Sequence, residues 1–278
     1  IAPQDLENLC KRDPDKPRIA ILTYPSNPTG ATYSVNDLKD LALVAKKYRI
    51  VLLSDEIYGE LNFEGKHLSI AKFYPEGTII SSGLSKWCGA GGWRLGTFTF
   101  PSTLDWLLEA MSSMASETFT STSAPIQYAA VSAFRGGISI ERYLNNARRI
   151  LKSLGLSIHK KLDRVGISAP KAEGGFYLFC NFNKYASRLK KIGITNSPQL
   201  VQKLLEDTGV ALLPGSVFGR PENELTARLA YVDFDGARAL AAAETLPPYK
   251  TPDDDFLNTN CSHIIEAIDL ICSWVKDL

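Results

Sequence analysis

Histidines and closely spaced cysteines are scarce in this sequence. Three histidines and five cysteines are spread over 278 residues, and no C-x-x-C pair occurs. Zinc-ligand spacing is therefore absent. Cys10, Cys88, Cys180, Cys261 and Cys272 form an odd, dispersed set, which reads as reduced thiols in an intracellular protein rather than as a disulfide framework. Net charge is scarce too, since 31 basic against 30 acidic residues leave a formal +1. No basic excess points to nucleic acid or to an anionic membrane surface. No apolar run approaches the roughly 20 residues of a membrane-spanning helix, and no stretch has the pattern of a signal peptide. A cytoplasmic location is the expectation. What is present is ordinary globular material, 45% hydrophobic and 22% charged, long enough for a large core or two domains.

The chemistry concentrates in one stretch, Ser81 to Phe98, reading SSGLSKWCGAGGWRLGTF. The β-branched run Thr78-Ile79-Ile80 before it reads as a short buried strand. Ser82 and Ser85 offer hydroxyls beside Lys86, while Gly89, Gly91 and Gly92 let backbone approach a ligand closely. Arg94 follows with a planar cationic fork suited to a phosphate. A lone lysine among small hydroxylated residues, with an arginine beyond a glycine loop, suits a phosphorylated cofactor held as a Schiff base. On these residues alone, a surface lysine in a glycine-rich turn fits equally well.

The string G-L-S-K-W-C-G-A-G-G-W-R-L-G closely resembles the lysine signature of the class I/II, fold-type I aminotransferases, which use pyridoxal 5′-phosphate. Further matches run through nearly the whole chain. The resemblance implies an α/β fold with a mostly parallel central sheet flanked by helices, plus a smaller α+β C-terminal domain. It implies exchange of an amino group between an L-amino acid and a 2-oxo acid through a lysine Schiff base at Lys86. It also implies a homodimer whose active sites are shared between subunits. A lyase or decarboxylase of the same fold would use nearly the same residues, and a cofactor-binding regulatory or degenerate module is the alternative from another class. One position departs from the pattern: Gly83 stands where many members carry a phosphate-binding serine. Set against the family, the chain is expected to start about midway through the large domain, with the N-terminal part of the family fold absent. That part normally supplies a second phosphate-binding turn and an aromatic residue stacked on the cofactor ring. Either the chain is a fragment or another segment completes it.

Taken in order, the opening residues lead into a core strand at Ile19-Ala20-Ile21-Leu22, which runs into Tyr24-Pro25-Ser26-Asn27-Pro28-Thr29-Gly30. By residue type alone this is a turn. By resemblance, N-P-T-G is a family hallmark in which Asn27 hydrogen-bonds the cofactor's 3′-oxygen and contributes to substrate binding, with a cis bond before Pro28. Ser34 to Asp37 reads as a capping box, and Leu38, Leu41, Ala42, Ala45 and Tyr48 mark an apolar helix face. A strand at 50–53 completes a βαβ unit, hence a parallel sheet with ligands at the carboxyl ends of its strands. Asp55 emerges there, either as a charge leaving the core or, by resemblance, as partner of the pyridine nitrogen. Tyr58 is implied as a second hydrogen bond to the 3′-oxygen. Glu56 receives no role, and His67 reads as a surface or structural histidine.

A strand at 97–100 is closed by Pro101, and Ser102 to Asp105 is expected to cap a helix through Met111 and Met114. The polar tract Ser116 to Ser123 is either a loop or, by resemblance, an approach to the partner's active site. Apolar positions from Ile140 to Leu162 predict one helix long enough to bridge two domains, with Arg148, Arg149, Lys160 and Lys161 as a solvated face. The domain boundary is placed at 137/138, giving the C-terminal portion of a large cofactor-binding domain (1–137) and a linking helix with a small domain (138–278). A glycine hinge at 174–175 then enters a strand, and a helix at 199–208 ends on Gly209. Residues 210–219 read as a strand and a P-G-x-x-F-G turn. Arg228, inside the apolar strand Thr226 to Tyr231, needs an anion. That anion is an internal carboxylate or, by resemblance, the substrate's α-carboxylate. Residues 247–260 read as a polar loop, and Ile264, Ile268, Ile271 and Val275 mark a final helix. The implied set is therefore Lys86, Asp55 and Tyr58 in catalysis. Asn27, Asp55, Tyr58, Ser82, Ser85, Lys86 and Arg94 bind cofactor, Arg228 and Asn27 bind substrate, and no metal is expected.

Overall fold

A computed structural model describes residues 1–278. The chain divides into two compact units, residues 1–25 with 32–144, and residues 26–31 with 145–278.

In the first unit, α1 (Pro3–Lys11) precedes β1 (Ile19–Thr23). The sequence reading led straight to the strand and missed this helix, whose short apolar signal amounts to Leu6 and Cys10, both buried. α2 (Val35–Lys47) opens on the expected capping box: Ser34 Oγ accepts from the Asp37 N–H, and the Asp37 carboxylate accepts in turn from the Ser34 N–H. Its buried side is Leu38, Leu41, Ala42 and Ala45, packed with Leu22, Ile50, Leu52 and Ile70 in one core. The chain returns as β2 (Val51–Asp55), parallel to β1, so Asp55 is the last residue of its strand. Three short 3-10 turns, Gly59–Leu61, Ile70–Lys72 and Pro75–Gly77, lead to β3 (Thr78–Gly83), parallel to β2. β4 (Gly96–Thr99) runs antiparallel to β3, closing a sheet of order β1-β2-β3-β4.

α3 (Asp105–Thr118) and α4 (Ala124–Arg135) follow. The cap expected at Ser102 is not formed. Ser102–Leu104 is a 3-10 turn, and α3 starts after Leu104 with no side-chain cap. The polar tract is split, its first residues ending α3. α5 (Ile138–Val165) is the long helix, and the change from one unit to the other falls at 144/145 within it.

In the second unit, β5 (Tyr177–Asn181), α6 (Ala186–Lys191), α7 (Ser197–Thr208), β6 (Leu213–Pro214) and β7 (Thr226–Ala230) form a small α+β layer. The sheet order is β5-β7-β6, all antiparallel. α7 ends where expected, on Gly209 at φ 73°. The strand expected from 210 shrinks to two residues, because the chain turns at once into the 3-10 turn Gly215–Phe218. α8 (Gly236–Glu244), α9 (Asp254–Asn260) and α10 (Ser262–Asp277) complete the chain. α9 corrects the reading of 247–260 as a loop, since Asp253 caps it by accepting from the Phe256 N–H at 3.0 Å. α10 buries Ile264, Ile268, Ile271 and Val275, as its spacing predicts.

The expected solvated face of α5 holds for Lys160, which is exposed, and is corrected for the other three. Arg148 is buried, Arg149 donates to the carbonyls of Pro247, Lys250 and Ala243, and Lys161 pairs with Asp269 at 2.6 Å. These partners lie roughly a hundred residues downstream, out of reach of periodicity. No helix is long and apolar enough to cross a membrane.

Candidate active site

Asp55 ends a parallel strand between two others, so its side chain stands at the carboxyl edge where such sheets hold ligands. Its register partners are Thr23 on β1 and Ser81 on β3. The Thr23 hydroxyl and the Ile57 N–H donate to the carboxylate, both at 3.4 Å, which is long. No cation pairs with it. Burial raises its pKa above the ordinary carboxylate value, and these two weak bonds only partly offset that. Tyr58, buried at the start of the 3-10 turn that follows, presents its ring 5.8 Å from Lys86 Nζ.

Lys86 sits beyond the end of β3 in a loop closed on itself. Leu84 N–H donates to Leu95 O (3.2 Å), Ala90 N–H to Leu84 O (3.1 Å) and Gly89 N–H to Lys86 O (3.2 Å). The Tyr143 hydroxyl pins the loop from α5 by donating to Trp87 O at 2.8 Å. Lys86 is half-buried and forms no ion pair. Ser85 packs its Cβ near Gly91. Arg94 is exposed in the left-handed region at φ 56°, and its Nη1 donates back to Gly91 O at 2.8 Å.

The loop also explains the departure at Gly83. A Cβ there would lie 2.7 Å from Leu95 O across the β3–β4 pair, so no serine fits without a backbone shift. Ser82 does not join the Asp55 group. Strand alternation puts Ser81, not Ser82, on the Asp55 face. Ser82 instead lines a cavity of about 250 Å³ with Glu56, His67 and Trp87. Period-2 alternation was the signal that could have separated the two serines. Glu56 there accepts from Ser54 Oγ (2.8 Å) and from His67 Nε2 (2.9 Å), which makes His67 a structural partner.

The second unit holds the other candidates. Residues 26–31 form a tight turn, with Gly30 N–H donating to Ser26 O (2.7 Å) and Ser26 N–H to Ala31 O (2.8 Å). The Asn27–Pro28 bond is cis. Glu173 and Gly174 donate their N–H groups to Gly30 O at 2.8 and 3.1 Å, tying the turn to the glycine hinge before β5. Gly30 is required there: its φ is 71°, and a Cβ would fall 2.6 Å from Ala172 Cβ. Asn27 Oδ1 accepts from Arg228 Nη1 at 2.9 Å. Arg228 lies on β7 opposite Phe179. Its guanidinium carbon is 4.6 Å from the Tyr177 ring centroid and 5.1 Å from that of Phe218. No carboxylate pairs with it, and its Nε is buried without a partner. An internal ion pair is thereby excluded for Arg228 in this structure. Tyr177 and Phe218 stood in stretches the sequence reading singled out, yet neither received a role.

The structure thus collects Asp55, Tyr58, Lys86, Ser85 and Arg94 on the first unit, and Asn27 and Arg228 on the second. The profile of the aminotransferase class I and II family matches residues 1–238. The chain is 34% identical over 236 residues to an aspartate aminotransferase of Bacillus subtilis (strain 168), covering 83% of this chain and 56% of that protein. It is 35% identical over 233 residues to an aspartate aminotransferase of Geobacillus stearothermophilus, covering 82% and 55%. Among solved structures, an alanine aminotransferase from Pyrococcus furiosus superposes with a TM-score of 0.75 at 28% identity, over 99% of this chain and 61% of that one. The chain spans about half the length of the curated relatives it matches.

Proposed function

The chain belongs to the aminotransferase class I and II family, and from that premise we propose that its protein is a pyridoxal-phosphate-dependent aminotransferase acting on an L-amino acid and a 2-oxo acid. The observation that carries the reading is Asp55, a half-buried carboxylate whose pKa is raised and which has no cation, one strand from the exit that carries Lys86. A protonated ring nitrogen would supply the missing cation, so the residues present fit the cofactor. Arg228 fits in the same sense, because it is a cation with unused donors and no anion. Pyridoxal 5′-phosphate, when bound, supplies a carbonyl carbon that takes up the amino group and a ring that withdraws electrons from the substrate's α-carbon.

Each residue then has a task of its own. Lys86 Nζ would hold the cofactor covalently and, once freed, move the proton at the substrate's α-carbon. Asp55 would keep the ring nitrogen protonated. The Tyr58 hydroxyl and the Asn27 amide N–H, left over after Oδ1 has accepted from Arg228, would donate to the 3′-oxygen. Ser85 and Arg94 would bind the phosphate, with Arg94 giving up its bond to Gly91. Ser82, turned to the other face, is the weakest of the phosphate candidates, since Ser81 and not Ser82 shares the Asp55 face. Arg228 would grip the α-carboxylate as a two-pronged fork and so align the α C–H bond.

The same reading makes residues 1–137 the C-terminal portion of a large cofactor-binding domain and 138–278 a linking helix with a small domain. It also makes the protein a cytoplasmic homodimer. Five free cysteines support the location. Outward apolar side chains on α3 and α4, among them Trp106, Met114, Tyr128 and Phe134, support the dimer. The names of the relatives include aspartate and alanine as substrates, so side-chain preference is not part of the proposal. The test is to load the protein with cofactor, reduce with borohydride and map the labelled peptide. The label is expected on Lys86 in protein that converts an amino acid to its 2-oxo acid. A label on another lysine, or none, would overturn the assignment.

A further inference from the structure

Arg228 is a strand cation fixed in place without an anion. A partly buried arginine is ordinarily held by a carboxylate, which orients it and cancels its charge together. Here the holding groups are an amide oxygen and two ring faces. Asn27 Oδ1 takes one donor at 2.9 Å. The rings of Tyr177 and Phe218 lie 4.6 and 5.1 Å from the guanidinium carbon, both within the roughly 6 Å of a cation–π contact. A ring face orients a guanidinium through its quadrupole but leaves the formal charge uncancelled.

The two rings are themselves braced. Tyr177 is buried on β5 and packs against Phe176 with ring centroids 4.6 Å apart. Phe218 comes from the turn Gly215–Phe218, which ends on Gly219 at φ 77°. Phe179, the register partner of Arg228, meets the Phe218 ring edge-on at 6.0 Å and 89°. Gly215 seats that turn tightly on β7, since a Cβ there would come 3.0 Å from Thr226 Cβ and 3.1 Å from Thr226 O. The placement of both rings is therefore built by strand register and turn geometry.

We propose that Tyr177 and Phe218 are positioning residues for carboxylate recognition, holding the Arg228 guanidinium by their ring faces so that it is oriented while its charge stays available. This rests on the reading of Arg228 as the carboxylate-binding group. It goes beyond that reading by assigning affinity for the anion to two residues that need not touch it. It also accounts for the absence of an acid beside Arg228, because an acid would compete with the ligand for the same fork.

The experiment uses the full chain with cofactor bound. Phe218→Leu removes a ring face at similar bulk, Phe218→Trp keeps one, and Tyr177→Phe removes only a hydroxyl. The KM and kcat of the amino-acid half-reaction are measured for each. Pyruvate is titrated against the Arg228 Nε–H NMR signal, assigned by its loss in Arg228→Lys. Phe218→Leu is expected to raise KM and the pyruvate Kd together by roughly 2- to 30-fold, the range that corresponds to a cation–π contact. kcat should change less, and Phe218→Trp and Tyr177→Phe should stay near the parent. An amino-acid amide, which lacks the carboxylate, should bind parent and Phe218→Leu alike. Unchanged carboxylate affinity in Phe218→Leu, or equal weakening toward the amide, would overturn the proposal and leave only a packing role. Should Phe218→Leu fail to fold, Phe218→Met is read by the same criteria. A parent signal indifferent to pyruvate overturns the carboxylate-binding reading itself, and with it this inference.

Discussion

The two units position their candidate groups by different means. In the first, backbone does the work: Asp55 is placed because β2 ends on it, and Lys86 because the loop after β3 is closed by its own N–H groups. Neither side chain is braced by a strong polar partner; Asp55 has two bonds at 3.4 Å and Lys86 a ring at 5.8 Å. In the second unit, side chains do the work, and Arg228 is held by an amide and two rings drawn from three separate segments. On the proposed roles, the groups that would bond covalently or hold a proton are the ones left without strong polar partners. The group that would only grip already has an amide and two rings around it. That difference predicts where substitutions strike chemistry and where they strike affinity.

The largest effect belongs to the first unit. Lys86→Ala is expected to abolish turnover, by at least about a thousandfold in single-turnover conversion of an amino acid, since no other lysine lies in the motif. The folded state should be hardly affected, because Lys86 forms no ion pair; thermal unfolding of cofactor-free protein checks this. Turnover surviving in the mutant would mean that the backbone-placed loop is not the reacting one.

Next comes Arg228→Lys. Lysine keeps the charge but not the planar fork, so carboxylate binding and alignment should both suffer. The expected loss is on the order of 2–5 kcal/mol in kcat/KM, measured by half-reaction kinetics. Cofactor affinity should be unchanged, and Arg94→Lys should show the reverse pattern. If Arg228→Lys loses cofactor and keeps substrate affinity, the roles of the two arginines are exchanged.

Asp55→Asn should give a smaller loss in rate, about a hundredfold, by removing the carboxylate proposed to keep the ring nitrogen charged. Its effect on stability has the opposite sign. Burial raises the folded-state pKa of Asp55, so the folded protein holds that proton more tightly than the unfolded chain. Stability therefore falls as pH rises from the unfolded value near 3.8 through the raised folded one. At neutral pH the cofactor-free Asn variant should be slightly more stable than the parent, by under about 1 kcal/mol after solvent screening. Chemical denaturation of both proteins decides it. A less stable variant would make the Thr23 and Ile57 bonds, not burial, the governing influence.

The same contrast separates what sequence could reveal from what it could not. The lysine loop, the N-P-T-G turn, the Ser34–Asp37 box and the stripe of α10 are local strings, and local strings survive in one dimension. Arg228 and Asn27 are 201 residues apart, and Arg149 meets its carbonyls across nearly a hundred. No periodicity carries such pairs. Ser81 and Ser82 were separable in principle, because neighbouring strand residues face opposite ways and only the first shares a face with Asp55. Reading both as hydroxyls near a lysine ignored that. The helix at 254–260 was hidden by its Pro/Asp-rich approach, although Asp253 is itself the capping residue.

The smallest expected effect concerns Glu56, which tests the contrast between adjacent residues. Asp55 and Glu56 are both carboxylates at one strand end, yet only Glu56 is fully partnered. Ser54 Oγ donates to one of its oxygens at 2.8 Å and His67 Nε2 to the other at 2.9 Å. Burial pushes its pKa up, but hydrogen bonds from His67, Ser69 and Ser54, with the charge on His67, outweigh burial and leave it below the ordinary value. A depressed folded pKa means stability that is present above the unfolded value of 4.5 and lost as pH falls through the folded one. Glu56→Gln should therefore cost about 1–2 kcal/mol at neutral pH, in the range of charge-assisted hydrogen bonds. The cost should shrink as pH falls below 4.5 and through the lowered folded value, where the parent's own carboxyl becomes protonated. Turnover per folded molecule should change little, in contrast to Asp55→Asn. Urea denaturation at neutral and acid pH, with activity measured beside it, reads both. A cost that is the same at every pH would make the Glu56 contacts a matter of packing, and a large loss of turnover would place Glu56 with Asp55 in the chemistry.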